Sequence, residues 1–383
     1  MHTDTAFTRR LGLPWPIVQG PFGGGLSSVS LVSAVNAAGG LGSFGVHHLH
    51  ADQIMQVTRD LRAATAAPFA LNLWIPLHDE AEHPVISDTQ WDRAVRRLQP
   101  FFDELKLDLP ARPKPSAVWP AYTQQIEALL EARPAVFSFV FGIPSPAILS
   151  RCQQLGIVTI GAATTPHEAR LLEDAGVDMV VATGSDAGGH RVSFTDTPEN
   201  LLTGTFSLIP QVRDAVRIPV IAAGGIADTR GVKAAMALGA DAVQIGTAFL
   251  ACEESNAGRP HQAALHAPGL PGTTLTRGFS GRLSRGLRNR LTIELAQAPE
   301  DILPYPWQNW LTGVLKRAAI AQDRADLMSL WSGQAVGLVR HQRVADLMQS
   351  LTGESPNRPD IHFVGHPTTR DYPTDITRQA SLR

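Results

Sequence analysis

The chain has 383 residues, a formal net charge of −2, a sequence pI near 6.7 and 44% hydrophobic residues. That supplies a large buried core, and the charge balance is not basic enough to argue for nucleic acid or an anionic membrane surface. Cys152 and Cys252 form no Cys-x-x-Cys pair and read as reduced structural thiols, the N-terminus lacks the apolar core of a signal peptide, and no run of about 18 apolar residues suggests a membrane span. A cytoplasmic protein is expected.

From residue 16 to about 250 one unit repeats: a short apolar run, turn residues, then an amphipathic helical stretch. The runs at 16–19, 41–44, 69–74, 136–141, 157–162, 179–182, 219–222 and 242–245 predict eight strands. Their hydrophobicity is continuous rather than alternating, which marks parallel strands buried on both faces. Helices are predicted at 28–38, 52–64, 145–155, 166–175, 208–216 and 229–238, several opening on Ser, Thr or Asp and closing on Gly39, Gly156, Gly176 and Gly239. This predicts an α/β fold, a closed (β/α)8 TIM barrel, with a doubly wound open sheet as the alternative.

The barrel is expected over 11–252, interrupted by an insertion at 78–134 that holds helices at 89–105 and 122–132 around a Pro-rich stretch. A lid or substrate subdomain is expected at 253–333, a helix packing back on the barrel within 334–352, and a polar, Pro-rich tail at 353–383.

Ligands meet a barrel at the C-terminal ends of its strands. Those ends read Gly20-Pro21-Phe22-Gly23-Gly24-Gly25, then Asn72 and Pro76, then Gly184 to His190, then Gly224-Gly225, then Gln244-Ile245-Gly246-Thr247. The last two follow the seventh and eighth predicted strands, where backbone N–H groups bind a dianion without requiring a lysine. Singly, each glycine pair reads equally well as a plain turn. Asn72 either hydrogen-bonds a flat heterocycle or closes a turn, whereas Gln244, inside an apolar strand, needs a partner.

Gly184-Ser185-Asp186-Ala187-Gly188-Gly189-His190-Arg191 directly follows an apolar run. Glycines there admit a flat ring or an anion, and His190 is expected to titrate near neutral pH and to take a proton from a carbon acid. A solvated histidine on a tight turn is the alternative. No Walker loop is present, and Ala38-Gly39-Gly40-Leu41-Gly42 precedes a strand, so a dinucleotide fold is disfavoured. His47, His48 and His50 match no ligand motif and no metal is expected. His167 reads as surface. Arg277, Arg282, Arg285, Arg288 and Arg290 read as contacts to carboxylates and backbone carbonyls, or as residues facing an anionic ligand.

Together these residues resemble the nitronate monooxygenase family, formerly called 2-nitropropane dioxygenases. The matching pieces are Pro16 to Gly24, Asn36 to Gly42, Asn72-Leu73-Trp74-Ile75-Pro76, Asp186 to Arg191, Ala223-Gly224-Gly225-Ile226 and Gln244-Ile245-Gly246-Thr247. Beyond the barrel come Ser280-Gly281-Arg282, Tyr305 to Asn309 and Trp331-Ser332-Gly333-Gln334, so that the resemblance spans 11–345. It implies noncovalent FMN, with its phosphate on Gly224, Gly225, Gly246 and Thr247. The ring would lie near Gly20, Pro21, Phe22, Gly23, Asn72 and Gly188, with Thr183, Gln244 and Ile245 also at the cofactor. It further implies His190 as base and oxidation of alkyl nitronates with O2 to a carbonyl compound and nitrite. Phe22 and Thr183 depart from the family, which usually has Met and often Gln there. The alternative is an FMN barrel that uses NAD(P)H to reduce quinones or enoyl thioesters, and a third reading is a barrel that only binds a phosphate-bearing ligand. A small-molecule substrate and O2 are the expected partners, with a homodimer as the expected assembly.

Overall fold

The computed structural model describes residues 3–76, 85–114, 120–267, 269 and 272–353. The expected tail at 353–383 therefore lies outside the described residues, apart from Gly353. Eleven strands are described: β1 (Ile17–Gln19), β2 (Gly42–Gly45), β3 (Phe69–Trp74), β4 (Val136–Val140), β5 (Val158–Ala163), β6 (Met179–Thr183), β7 (Gly189–His190), β8 (Val220–Ala223), β9 (Ala242–Ile245), β10 (Thr273–Thr276) and β11 (Ser284–Leu287). Eight form one parallel sheet in the order β1-β9-β8-β6-β5-β4-β3-β2. A bridge from Val18 to Leu41 joins its ends, with Gln19 N–H donating to the Leu41 carbonyl and Leu41 N–H to that of Ile17, both at 2.9 Å. The sheet closes into the expected TIM barrel.

Strand parity sorts the core into two layers. Val18, Ala70, Ile160, Val181, Ile221 and Ala242 fill the lumen, while Ile17, Leu71, Val180, Ala182, Val243 and Ile245 pack outward against the helices. An N-terminal helix, Ala6–Leu11, adds Phe7 to the lumen cluster, where it is fully buried. No sequence pattern had marked it. Among the described residues, no helix is long and apolar enough to cross a membrane.

Two boundaries differ from expectation. The helix Tyr122–Ala132 packs against Ala51–Ala64 and serves as the barrel's own crossover between β3 and β4, so it is not part of the insertion. Asp88–Glu104 does leave the barrel, and it joins the segment that follows β9. Trp91 meets Trp307 and Trp310, Arg93 pairs with Asp301 at 2.6 Å, and Arg290 pairs with Glu104 at 2.6 Å. The predicted helix at 334–351 is broken into a 3-10 turn, Gln334–Leu338, and a helix, Val344–Thr352. Gly333 N–H donates to Thr247 Oγ1 at 2.8 Å and Gln334 N–H to the Asp186 carbonyl at 2.9 Å, holding the first piece to the barrel mouth. The Glu254 carboxylate then accepts Val344 N–H at 3.0 Å and starts the second.

The segment after β9 closes over the mouth. Its hairpin β10–β11 pairs antiparallel with β7, placing Ser284 opposite His190 and Arg285 opposite Gly189. The glycine loop that carries His190 is thereby the edge of a three-stranded sheet.

Candidate active site

One cavity of about 830 Å3 opens at the C-terminal ends of the barrel strands. Gly20, Pro21, Phe22, Gly23, Asn72, Thr183, Gly188, His190, Gly224, Gly225, Gln244, Gly246 and Thr247 all line it. Ile245 does not. In β9 the side chains alternate, so Gln244 faces the cavity while Ile245, 1% exposed, packs outward with Ile17 and Val243. Its carbonyl serves instead as a clasp, accepting Gly20 N–H at 2.8 Å.

Backbone approach explains the glycines that matter most. A Cβ on Gly188 would fall 2.5 Å from the Gly333 amide nitrogen, and Gly224 combines a φ of +111° with Thr205 Oγ1 only 2.6 Å from its Cβ position. Either side chain would push the loops apart. Among the described residues, the N–H groups of Gly224, Gly225 and Gly246 donate to no loop carbonyl or side chain, and the Gln244 amide likewise has no protein partner. All four residues line the cavity. Asn72 Nδ2 donates to Ser138 Oγ at 3.0 Å, so part of its amide is already committed to holding β3 against β4.

His190 stands between two indoles. Its ring lies 4.9 Å from Trp74, edge to face, and 5.0 Å from Trp331. Nε2 is 2.8 Å from Ser280 Oγ, which leaves Nδ1 with no hydrogen bond among the described residues. Burial, together with the positive charges of Arg282 and Lys316, pushes its pKa down to about 3. The expected near-neutral titration is therefore corrected: burial and two cations hold this imidazole in its neutral, proton-accepting form.

Arg282 lies over Phe141, 3.7 Å from its centroid, and over Tyr305 at 4.4 Å. Lys316, on the helix Trp307–Ala321, lines the cavity and donates to the Phe279 carbonyl and to Asn309 Oδ1, both at 3.3 Å. Three other arginines of the basic stretch do structural work. Arg277 pairs with Glu199, Arg285 donates to the Ser185 carbonyl at 2.9 Å, and Arg290 pairs with Glu104 and Glu294. His167 is exposed, as expected, whereas His47 and His48 line the cavity.

Ser280, Trp74, Trp331 and Lys316 were not singled out as site residues. Trp74 carried a usable signal, since it lies two positions after Asn72 on the same face of β3. Lys316 carried none, being one cation among others on an amphipathic helix.

The model of the family described as nitronate monooxygenase matches residues 5–354. A nitronate monooxygenase from Pseudomonas aeruginosa is 39% identical over 353 residues, covering 91% of this chain and 98% of that one. In structure, the nitroalkane oxidase from Streptomyces ansochromogenes superposes with a TM-score of 0.81 at 36% identity, covering 91% of this chain and 97% of that one. FabK from Thermotoga maritima superposes with a TM-score of 0.70 at 27% identity, covering 92% and 96%.

Proposed function

The chain belongs to the nitronate monooxygenase family of flavin-dependent oxidoreductases, and from that premise we propose that it uses FMN to oxidise alkyl nitronates with O2 to a carbonyl compound and nitrite, with His190 as base. One observation carries the reading: a neutral imidazole, its Nδ1 free of hydrogen bonds among the described residues, stands at the cavity beside two cationic side chains.

The residues present suit the cofactor. Gly224, Gly225, Gly246 and Thr247 would hold its phosphate through backbone N–H groups, which at the three glycines donate to no loop carbonyl or side chain among the described residues. Gly20, Pro21, Phe22, Gly23, Asn72, Thr183, Gly188 and Gln244 would border its ring, with the unpartnered Gln244 amide available to a polar edge. When bound, FMN supplies the electron acceptor and its reoxidation by O2.

The protein supplies proton handling and charge. A nitroalkane α-carbon is acidic because its nitro group takes up the charge, and His190 Nδ1 removes that proton or orients a nitronate formed in solution. Ser280 holds the ring by its other nitrogen, accepting Nε2–H while Nδ1 acts. Arg282 and Lys316 favour the anion, and Trp74 and Trp331 exclude water.

The test begins with flavin content. Purified protein is expected to be yellow, anaerobic propyl nitronate to bleach it, and aerobic turnover to release nitrite. His190→Asn is expected to keep its flavin and to lose about 10²–10⁴-fold on neutral nitroalkanes, the usual worth of a positioned base. Protein that takes up no flavin would overturn the reading. So would rapid bleaching by NADH or NADPH with none by nitronates, which would establish a reductase instead.

A further inference from the structure

His47 and His48 line the cavity, although the chemistry proposed above needs no second imidazole. Among the described residues, no group of three or more His, Cys, Asp or Glu could hold a metal. His47 instead lies flat on Trp74, with ring centroids 3.8 Å apart and planes 7° from parallel. Gly23 approaches its edge so closely that a Cβ there would fall 2.0 Å from His47 Cε1. The Gln125 amide donates to the carbonyls of His47, at 2.9 Å, and Leu49, at 2.8 Å, fixing the turn. Burial, then His48, His190 and Arg282, hold its pKa well below the usual imidazole value, so the stacked ring is neutral. His47 is clamped, and it clamps Trp74.

Trp74 stands edge-on to His190 while Trp331 takes another side of the imidazole. The two indoles are backed differently. Behind Trp331 is Phe279, which is fully buried core. Behind Trp74 is His47, half-buried and itself part of the cavity wall. Buried Phe141 and half-buried Tyr305 also touch Trp74, at 5.0 and 5.6 Å, but they meet it at 69° and 47°; among the described rings His47 alone lies parallel to the indole.

We propose that His47 is a specificity-determining residue: stacked behind Trp74, it holds the indole as the wall that narrows the cavity beside His190 and restricts the reaction to slim, unbranched nitronates. This rests on the nitronate reading, and the experiment separates the two.

Wild type, His47→Ala and His47→Phe are compared on the nitronates of 1-nitropropane and phenylnitromethane, reading nitrite. In His47→Ala the aryl-to-propyl ratio of kcat/KM is expected to rise about tenfold, the scale set by a methylene-sized piece of pocket wall. His47→Phe, which keeps a flat ring behind the indole, is expected to bring the ratio back towards wild type. In parallel, acetate and benzoate, planar anions shaped like the two nitronates, are titrated against the flavin absorbance. The benzoate-to-acetate ratio of affinities should move in the same direction without turnover.

Unchanged ratios in both assays for His47→Ala overturn the proposal. So does a His47→Phe protein that behaves like His47→Ala, because His47 would then act through a polar contact. Absence of nitrite from every nitronate, with the carboxylate ratio still shifted, refutes the nitronate reading and leaves the wall standing. Should His47→Ala fail to fold, Trp74→Phe, which trims the wall from its front, must shift the same ratios the same way.

Discussion

Glu168 offers the sharpest stability test, because it joins the end of β5 to the segment leaving His190. It is fully buried, and its Oε2 accepts from Thr164 N–H and Oγ1–H, both at 2.7 Å. Its Oε1 accepts Phe194 N–H at 2.7 Å and Thr195 N–H and Oγ1–H at 3.1 Å. Glu168→Ala strands the amide of Thr164, which is 0% exposed, and that of half-buried Phe194. Exposed Thr195 can turn to water, and the Thr164 hydroxyl keeps Ser193 Oγ at 2.8 Å. One stranded buried amide at about 1–3 kcal/mol and a second, half-buried one costing less give a loss of about 2–4 kcal/mol. Chemical denaturation of the flavin-loaded protein reads this directly, and Glu168→Gln, which keeps one acceptor oxygen, should fall between. A loss below about 1 kcal/mol would refute the role of the carboxylate as the junction. Because Phe194 follows His190 closely, turnover of nitroalkanes should fall along with stability.

Two further predictions concern pH. Burial pushes His261 to about 4 despite its contact with the Trp331 carbonyl, and His48 to about 4 and His190 to about 3. Lowered folded-state values mean stability is complete above about pH 6.5 and is lost as pH falls towards 4, with His261 alone costing about 3 kcal/mol at pH 4. Melting temperatures that stay level from pH 6.5 to 4 would refute the neutral burial of these rings. Burial and Arg317 push Lys316 to about 8, so its charge is lost as pH rises through that value. The KM for nitronates should therefore rise between pH 7 and 9, and Lys316→Met should abolish the rise; an identical profile in the variant would refute the assignment.

The barrel was legible because strands buried on both faces leave continuous apolar runs, and the ends of those runs fall within one or two residues of the observed strands. The site's glycines were legible for a related reason, since their chemistry is carried by the backbone. What escaped the sequence depends on partners far along the chain. Gly189–His190 is a strand because Ser284 and Arg285 pair with it, and nothing local to two residues announces that. The amphipathic pattern at 334–351 concealed a break imposed by Asp186 and Thr247. Ile245 was misplaced by reading Gln-Ile-Gly-Thr as one surface, when strand parity sends the isoleucine outward. The neutral state of His190 follows from its burial and from Arg282 and Lys316, which come from a segment with no barrel periodicity.

That charge arrangement bears on which substrate form the cavity favours. Lys316 makes no ion pair among the described residues, donating to the Phe279 carbonyl and to Asn309 Oδ1. Burying a cation on such dipoles costs desolvation that they return only in part. The unquenched positive potential extends into a cavity of low dielectric. It lowers the proton affinity of His190, and the same field stabilises an anion beside it. For a nitronate the gain is present from the moment of binding. For a neutral nitroalkane it develops as the α-proton leaves and charge moves onto the nitro oxygens, so it acts on the transition state. On the proposed function, Arg282 and Lys316 would thus lower KM for the first substrate and raise kcat for the second, while keeping His190 unprotonated for both.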